Sequence, residues 1–193
     1  MAVRPQNIGT KVARLLVFLA MAACEPETTL TNFCPADVVI NELAAAEKHD
    51  WIELYNADHE AVDLEGFSVT RSPDPSDEGF TIPAEFADAL GNTVPSTLEV
   101  GGFLVLAADT YSPPDADEKP LVLGFDLNRD GGALWLRAPA ENGYSTCDET
   151  IYPDQHDKFT WARQPDGAET WCDASEATEG TPNASCLCEG AAC

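Results

Sequence analysis

Basic residues are scarce in this chain of 193 residues, with ten Lys and Arg against 34 Asp and Glu, a formal net charge of -24 and a pI near 4.1. So few cations cannot build the basic face that binds a polyanion, which argues against nucleic acid as a partner. Long apolar runs are missing as well. The run Leu15 to Ala23 is too short to cross a bilayer comfortably, because a spanning helix needs ~20 apolar residues. The local patterns of common chemistries are also absent. His49, His59 and His156 have no H-E-x-x-H spacing, and neither a G-x-S-x-G elbow, a phosphate-cradling glycine loop nor a dinucleotide fingerprint occurs. With 34 acids present, any carboxylate pair is uninformative about glycosidase chemistry. No catalytic residue is nominated, and the chain reads as a non-enzyme. There is no internal repeat and no sustained heptad.

What is present begins with an address. Arg4, Lys11 and Arg14 precede the apolar run, and small residues Ala22 and Ala23 stand directly before Cys24, a secretory leader whose end resembles a bacterial lipobox. On this reading residues 1-23 are a lipoprotein signal peptide, Cys24 is the lipid attachment site, and residues 24-36, with Pro26 and Pro35, are a tether. The alternative is an ordinary leader cut nearby, which leaves Cys24 for a disulfide. Removing residues 1-23 leaves seven basic against 34 acidic residues, a net charge of -27, so the acyl chains and not electrostatics would hold the body at the membrane. The location implied is the cell envelope, facing the periplasm or the cell surface.

Six further cysteines, Cys34, Cys147, Cys172, Cys186, Cys188 and Cys193, form an even set in a chain read as leaving the cytoplasm, which suggests disulfides. Cys186 and Cys188 are too close to bridge each other without strain. The pairing expected is Cys147 with Cys172, Cys34 with Cys186 to join the two ends of the domain, and Cys188 with Cys193. A metal site on Cys-x-Cys-x4-Cys competes, but it needs reduced thiolates.

The body alternates short apolar runs with Gly, Pro, Asn and Asp. Strands are predicted at Val38 to Leu43, Trp51 to Tyr55, Val62 to Thr70, Gly79 to Ile82, Phe103 to Ala107, Leu121 to Phe125, Ala133 to Arg137, Tyr144 to Ile151 and Phe159 to Arg163. In the second of these Ile52 and Leu54 should face inward, and Trp51, Glu53 and Tyr55 outward. Residues 43-48 contain good helix formers and could make one helical turn. The prolines in 71-77 and 110-120 exclude central strands there and make both segments loops. So many short strands imply an all-β sandwich.

Read in order, Val39 Ile40 Asn41 Glu42, then Asp50 to Asn56, then Val62 to Phe67 resemble the opening of a lamin-tail domain. Ile82 Pro83, Leu98 to Leu106, Phe125 to Leu127 with Gly131 and Leu134, Arg163 to Gly167 with Trp171, and Gly180 to Asn183 continue the resemblance. It spans residues 37-184 and implies an immunoglobulin-like β-sandwich of antiparallel strands, followed by a cysteine-rich tail at 185-193. In bacteria such domains are accessory modules of secreted or surface proteins. Lamins use the domain for protein and DNA contacts, and the acidity here opposes the DNA role. Within the matched runs, Gly66 and Gly167 suit turns with positive φ.

Two polar groups invite a functional reading. Asn41, Glu42, Asp50, Glu53 and Asn56 could make a hydrogen-bonded network or an oxygen-rich cation site. Asp126, Asn128 and Asp130 imitate the first half of a calcium loop, but Arg137 stands at the twelfth position where a bidentate Glu is needed, so an Asn-Asp-Gly turn accounts for them better. The resulting expectation is a lipid-anchored interaction module that binds an envelope or extracellular protein through its loops and needs no cofactor. The alternative is a calcium-dependent adhesin or glycan binder using Trp51, Tyr111 or Trp135 for stacking on sugars.

Overall fold

The computed structural model describes residues 34-45, 50-74, 76-77, 79-87, 92-109, 121-143, 145-155 and 160-187. In chain order the strands are β1 (Val38–Ala44), β2 (Trp51–Asn56), β3 (Val62–Asp63), β4 (Ser68–Thr70), β5 (Phe80–Thr81), β6 (Glu85–Ala87) and β7 (Thr93–Pro95). They continue with β8 (Thr97–Leu98), β9 (Phe103–Ala107), β10 (Leu121–Val122), β11 (Gly132–Arg137), β12 (Thr146–Tyr152), β13 (Trp161–Arg163) and β14 (Trp171–Asp173). A six-stranded sheet runs β10-β9-β2-β1-β13-β14 and a four-stranded sheet runs β12-β11-β4-β5. Two small ribbons, β3-β8 and β6-β7, complete an immunoglobulin-like β-sandwich. Every described pairing is antiparallel except β9 with β10.

Alternation builds the core. Cross-strand partners Ile40 and Leu54, and Leu43 and Ile52, are fully buried on the inner face of the six-stranded sheet. They join Val69, Leu134 and Leu136 of the other sheet in one apolar cluster, closed by Leu64, Phe67 and Ile82. Non-directional burial of this kind supplies the main stabilisation of a sandwich.

Several local expectations change. Val62 to Thr70 is not one strand: a turn closed by Phe67 N–H on Leu64 O (3.1 Å) divides β3 from β4, and Gly66 takes φ 80 there. A Cβ on Gly66 would also lie 3.2 Å from Pro139 Cβ. Leu43 and Ala44 finish β1 instead of starting a helical turn, and residues 46-49 lie outside the described residues. β2 does not have a wet face, because Trp51 and Glu53 are as buried as Ile52 and Leu54. The strands β6, β7, β8 and β14 carry no apolar run in the sequence and are not among the predicted strands.

The disulfide pairing is also corrected. Cys34 bonds Cys147, and Cys172 bonds Cys186, in place of Cys34 with Cys186 and Cys147 with Cys172. Topology decides this. β12 runs beside β1, where the Asp148 carboxylate accepts the Ile40 N–H at 2.7 Å, so Cys147 meets the residue that leads into β1. Cys186 returns beside β14, where Ser175 N–H bonds Ser185 O (3.0 Å) and Leu187 N–H bonds Asp173 O (2.7 Å). Each end of the domain is thus stapled separately. Cys188 and Cys193 lie outside the described residues, as do residues 1-33 with Cys24.

The sequence separations are 113 for Cys34–Cys147 and 14 for Cys172–Cys186. Loop-closure entropy then makes the first the stronger constraint, about 4–5 kcal/mol against about 3 kcal/mol. Urea unfolding of the two paired serine variants should show the larger loss for Cys34→Ser with Cys147→Ser.

Candidate functional site

The polar centre of the molecule starts from a β-bulge. The β1–β2 register shifts between Ile40 and Glu42, which sets Asn41 out of the ladder and places Glu42 directly opposite Glu53. Asn41 then serves as a hub. Its Nδ2 donates to Glu53 Oε1 and to Asp166 Oδ1, both at 3.0 Å, and its Oδ1 accepts Gly167 N–H at 3.0 Å. Gly167 reaches this point with φ 72, where a Cβ would lie 3.0 Å from the Tyr55 ring. The C-terminal strap, residues 174-187, closes over the two glutamates. Gly180 N–H donates to Glu53 Oε2 (2.7 Å), Thr178 Oγ1 donates to Glu42 Oε2 (2.6 Å), and Thr160 Oγ1 donates to Glu42 Oε1. Asn183 ties the strap back to the backbone, with Nδ2 on Arg163 O (2.7 Å) and Asn41 O (3.2 Å). The Cys172–Cys186 bond clips the strap to β14.

Both glutamates have no exposed surface. Burial raises the pKa of Glu53 to about 8 against the lowering effect of Asn41 and Gly180, and neighbouring Glu42 and Asp166 raise it further. Burial raises the Glu42 pKa also, while Thr160 and Thr178 oppose it and Glu179 adds repulsion. At neutral pH a carboxyl of this kind holds its proton, so the pair lies within one sheet without two full charges.

The other residues of the sequence-derived set serve separate places. Asn56 caps local backbone through Glu60 O (2.9 Å) and Leu98 O (2.8 Å), and its Oδ1 accepts Asp58 N–H. Asp50 Oδ2 accepts Leu127 N–H at 3.0 Å, which fixes the entrance of the 126-131 loop. In that loop Asn128 Oδ1 accepts Asp130 N–H (3.1 Å) and Asn128 O accepts Gly131 N–H (3.0 Å), a turn with Gly131 at φ 97. Its side chains are therefore arranged by the turn. Among the described residues no group of three or more His, Cys, Asp or Glu is placed to hold a metal ion. Trp51 is buried and offers no stacking face, Trp135 donates from Nε1 to Glu149 (2.9 Å), and Tyr111 lies outside the described residues. The 71-77 loop is pinned by Arg137, which is 2% exposed and donates to Ser72 O (2.6 Å) and Asp77 O (2.9 Å). The other nominated loop, 110-120, lies outside the described residues, as do His49 and His156.

The surface of the described residues carries several depressions. One of about 450 Å³ lies between Arg71, Ser72, Phe125, Asn128 and Tyr152. Two more, of about 440 and 500 Å³, share Pro35, Asp63 and Phe67. Sequence reasoning missed Asp148, Thr160, Thr178 and the strap contacts. Polar residues far apart in the chain carry no local signal of their meeting.

The sign of the pH dependence follows from Glu53. A group with folded pKa near 8 and unfolded pKa 4.5 contributes stability that is fully present below pH 4.5 and lost as the pH rises through 8. Urea midpoints should fall between pH 5 and pH 8, by on the order of a few kcal/mol in free energy. In Glu53→Gln that slope should flatten, while stability at pH 5 drops by about 1–3 kcal/mol because the amide NH2 cannot accept from Asn41 or Gly180, as an oxygen of the protonated carboxyl still can.

Comparison with known proteins agrees with this architecture. A family model described as the lamin tail domain matches residues 33-150, from the residue before Cys34 into β12, leaving β13, β14 and the strap beyond the matched range. No curated protein matches the chain. Because the match covers more than half of the 193 residues and the strands form the expected immunoglobulin-like sandwich, the chain belongs to the lamin tail domain family.

Proposed function

We propose that the chain is a cell-envelope lipoprotein, attached through Cys24, that presents its lamin-tail domain as a non-catalytic module for binding another protein. The observation that carries this reading is the employment of the buried acids. Glu42 and Glu53, the carboxylate pair that could otherwise work as acid and base, have their oxygens engaged by Asn41, Thr160, Thr178 and Gly180 of the same chain. That group is scaffold, and recognition falls to the surface.

Compartment and class support the reading. Two disulfides suit an oxidising environment outside the cytoplasm. Among the described residues no helix is long and apolar enough to cross a membrane; in this proposal the lipid on Cys24 supplies the attachment. No cofactor is required. Of the aromatics assigned to sugar stacking, Trp51 is enclosed in the sheet, which takes support from the glycan-binding alternative.

Two measurements test the proposal. In bacterial cells fed labelled palmitate, the chain should carry label and sediment with membranes, and Cys24→Ser should lose both. The melting temperature should be the same in EDTA and in excess calcium, whereas a site filled at 100 times its Kd would add ~2.7 kcal/mol.

A further inference from the structure

Two depressions adjoin along Pro35, Asp63 and Phe67 and together make a trough. Its accessible apolar surface comes from exposed Pro35 and Ala61 and half-buried Ala36, which lie over the buried side chains of Phe67 and Val62. Its rim is acidic along the whole length, with Asp58, Glu60 and Asp63 at one half and Asp63, Glu65 and Glu141 at the other. No Lys or Arg lines either half, and the sole basic ring, His59, sits with Nδ1 2.7 Å from Asp58 Oδ1.

The rim divides into two kinds of carboxylate. Asp58 and Asp63 hold local backbone, accepting Asp37 N–H (3.2 Å) and Glu65 N–H (3.0 Å). Glu60, Glu65 and Glu141 are exposed, and none of their carboxylates engages a partner among the described residues. The walls are stiff, because Pro35 follows the Cys34–Cys147 bond and the Gly66 turn is packed on Pro139.

We propose that this trough is the docking site for an extended segment of a partner protein in which Lys or Arg alternates with apolar residues. The proposal rests on the reading of the chain as an interaction module. Charge complementarity selects the occupant: cations meet the rim glutamates, and apolar side chains lie against Pro35, Ala36 and Ala61. A second copy of this chain, with its net charge of -24, is repelled by the acidic rim. The chain's own tether is repelled too, since residues 25-33 carry Glu25 and Glu27 and no base.

The test uses the full chain, oxidised, and a fluorescent ten-residue peptide of alternating Lys and Val, with binding read by anisotropy. Glu60→Lys, Glu65→Lys and Glu141→Lys together should weaken binding about tenfold or more. Reversal of exposed Glu169, Asp173 and Glu176, which changes net charge equally outside the trough, should cost less than about twofold. A Lys-Ser peptide should bind several-fold more weakly than Lys-Val. Equal losses from both triple variants, or no binding of the Lys-Val peptide, overturn the trough. Intact peptide binding after rim reversal, with loss after the control reversal, overturns the trough yet keeps the interaction-module reading. Cleavage of the peptide by the chain overturns the module reading itself.

Discussion

One ion pair stands where a strand would otherwise be. β1 pairs with β13 only at Glu42 and Leu43, so the backbone of Ile40 has no ladder partner on that side. Arg163 and Asp148 supply it. The guanidinium Nε donates to Ile40 O (2.8 Å), the Asp148 carboxylate accepts Ile40 N–H (2.7 Å), and Arg163 Nη2 grips both oxygens of Asp148 at 2.8 and 2.9 Å. These two side chains belong to different sheets, so the pair joins the layers of the sandwich while it completes the backbone of β1. Burial pulls the Asp148 pKa upward, and the guanidinium opposes that pull. Arg163 is held in turn by Ala168 O and lies 4.7 Å from the ring centre of Trp171. A pair so enclosed tolerates neither partner's removal, because the remaining charge would be buried alone.

The same device recurs one residue further on. Asn41, displaced by the bulge, organises Glu53, Asp166 and Gly167, and with Asn183 it brings the end of the domain onto its beginning. An apolar surface on this outer face would accept many coverings of similar energy. Directional hydrogen bonds accept one, and so the strap has a single seat.

The long strands were legible because their physics is local. Val38 to Leu43, Trp51 to Tyr55, Phe103 to Ala107 and Ala133 to Arg137 announce themselves through alternation and β-branching, and each is a strand in the structure. Part of the interior of the six-stranded sheet followed from the same pattern through Ile52 and Leu54. Glu53 shows where that pattern stops. A polar residue that alternates with core residues reads as solvent-facing, and only a strap arriving from residue 180 buries it on the outer face. The cysteine pairing failed for a related reason. Separation along the chain says nothing about which strands lie side by side, and β12 lies beside β1. The Asp126 loop was legible as an Asn-Asp-Gly turn, because Arg137 at the twelfth position spoke against ligation, and Asn128 closes that turn through Asp130 N–H and Gly131 N–H.

The position of the first disulfide decides how the domain carries mechanical load. A pull on the chain ahead of Cys34 does not have to peel β1 away from β2 and β13 one hydrogen bond at a time. It passes through the sulfur atoms to Cys147 and enters β12, in the opposite sheet, alongside β11. The force is shared by both layers from the start, and the covalent link leaves the β1 ladder largely unstressed.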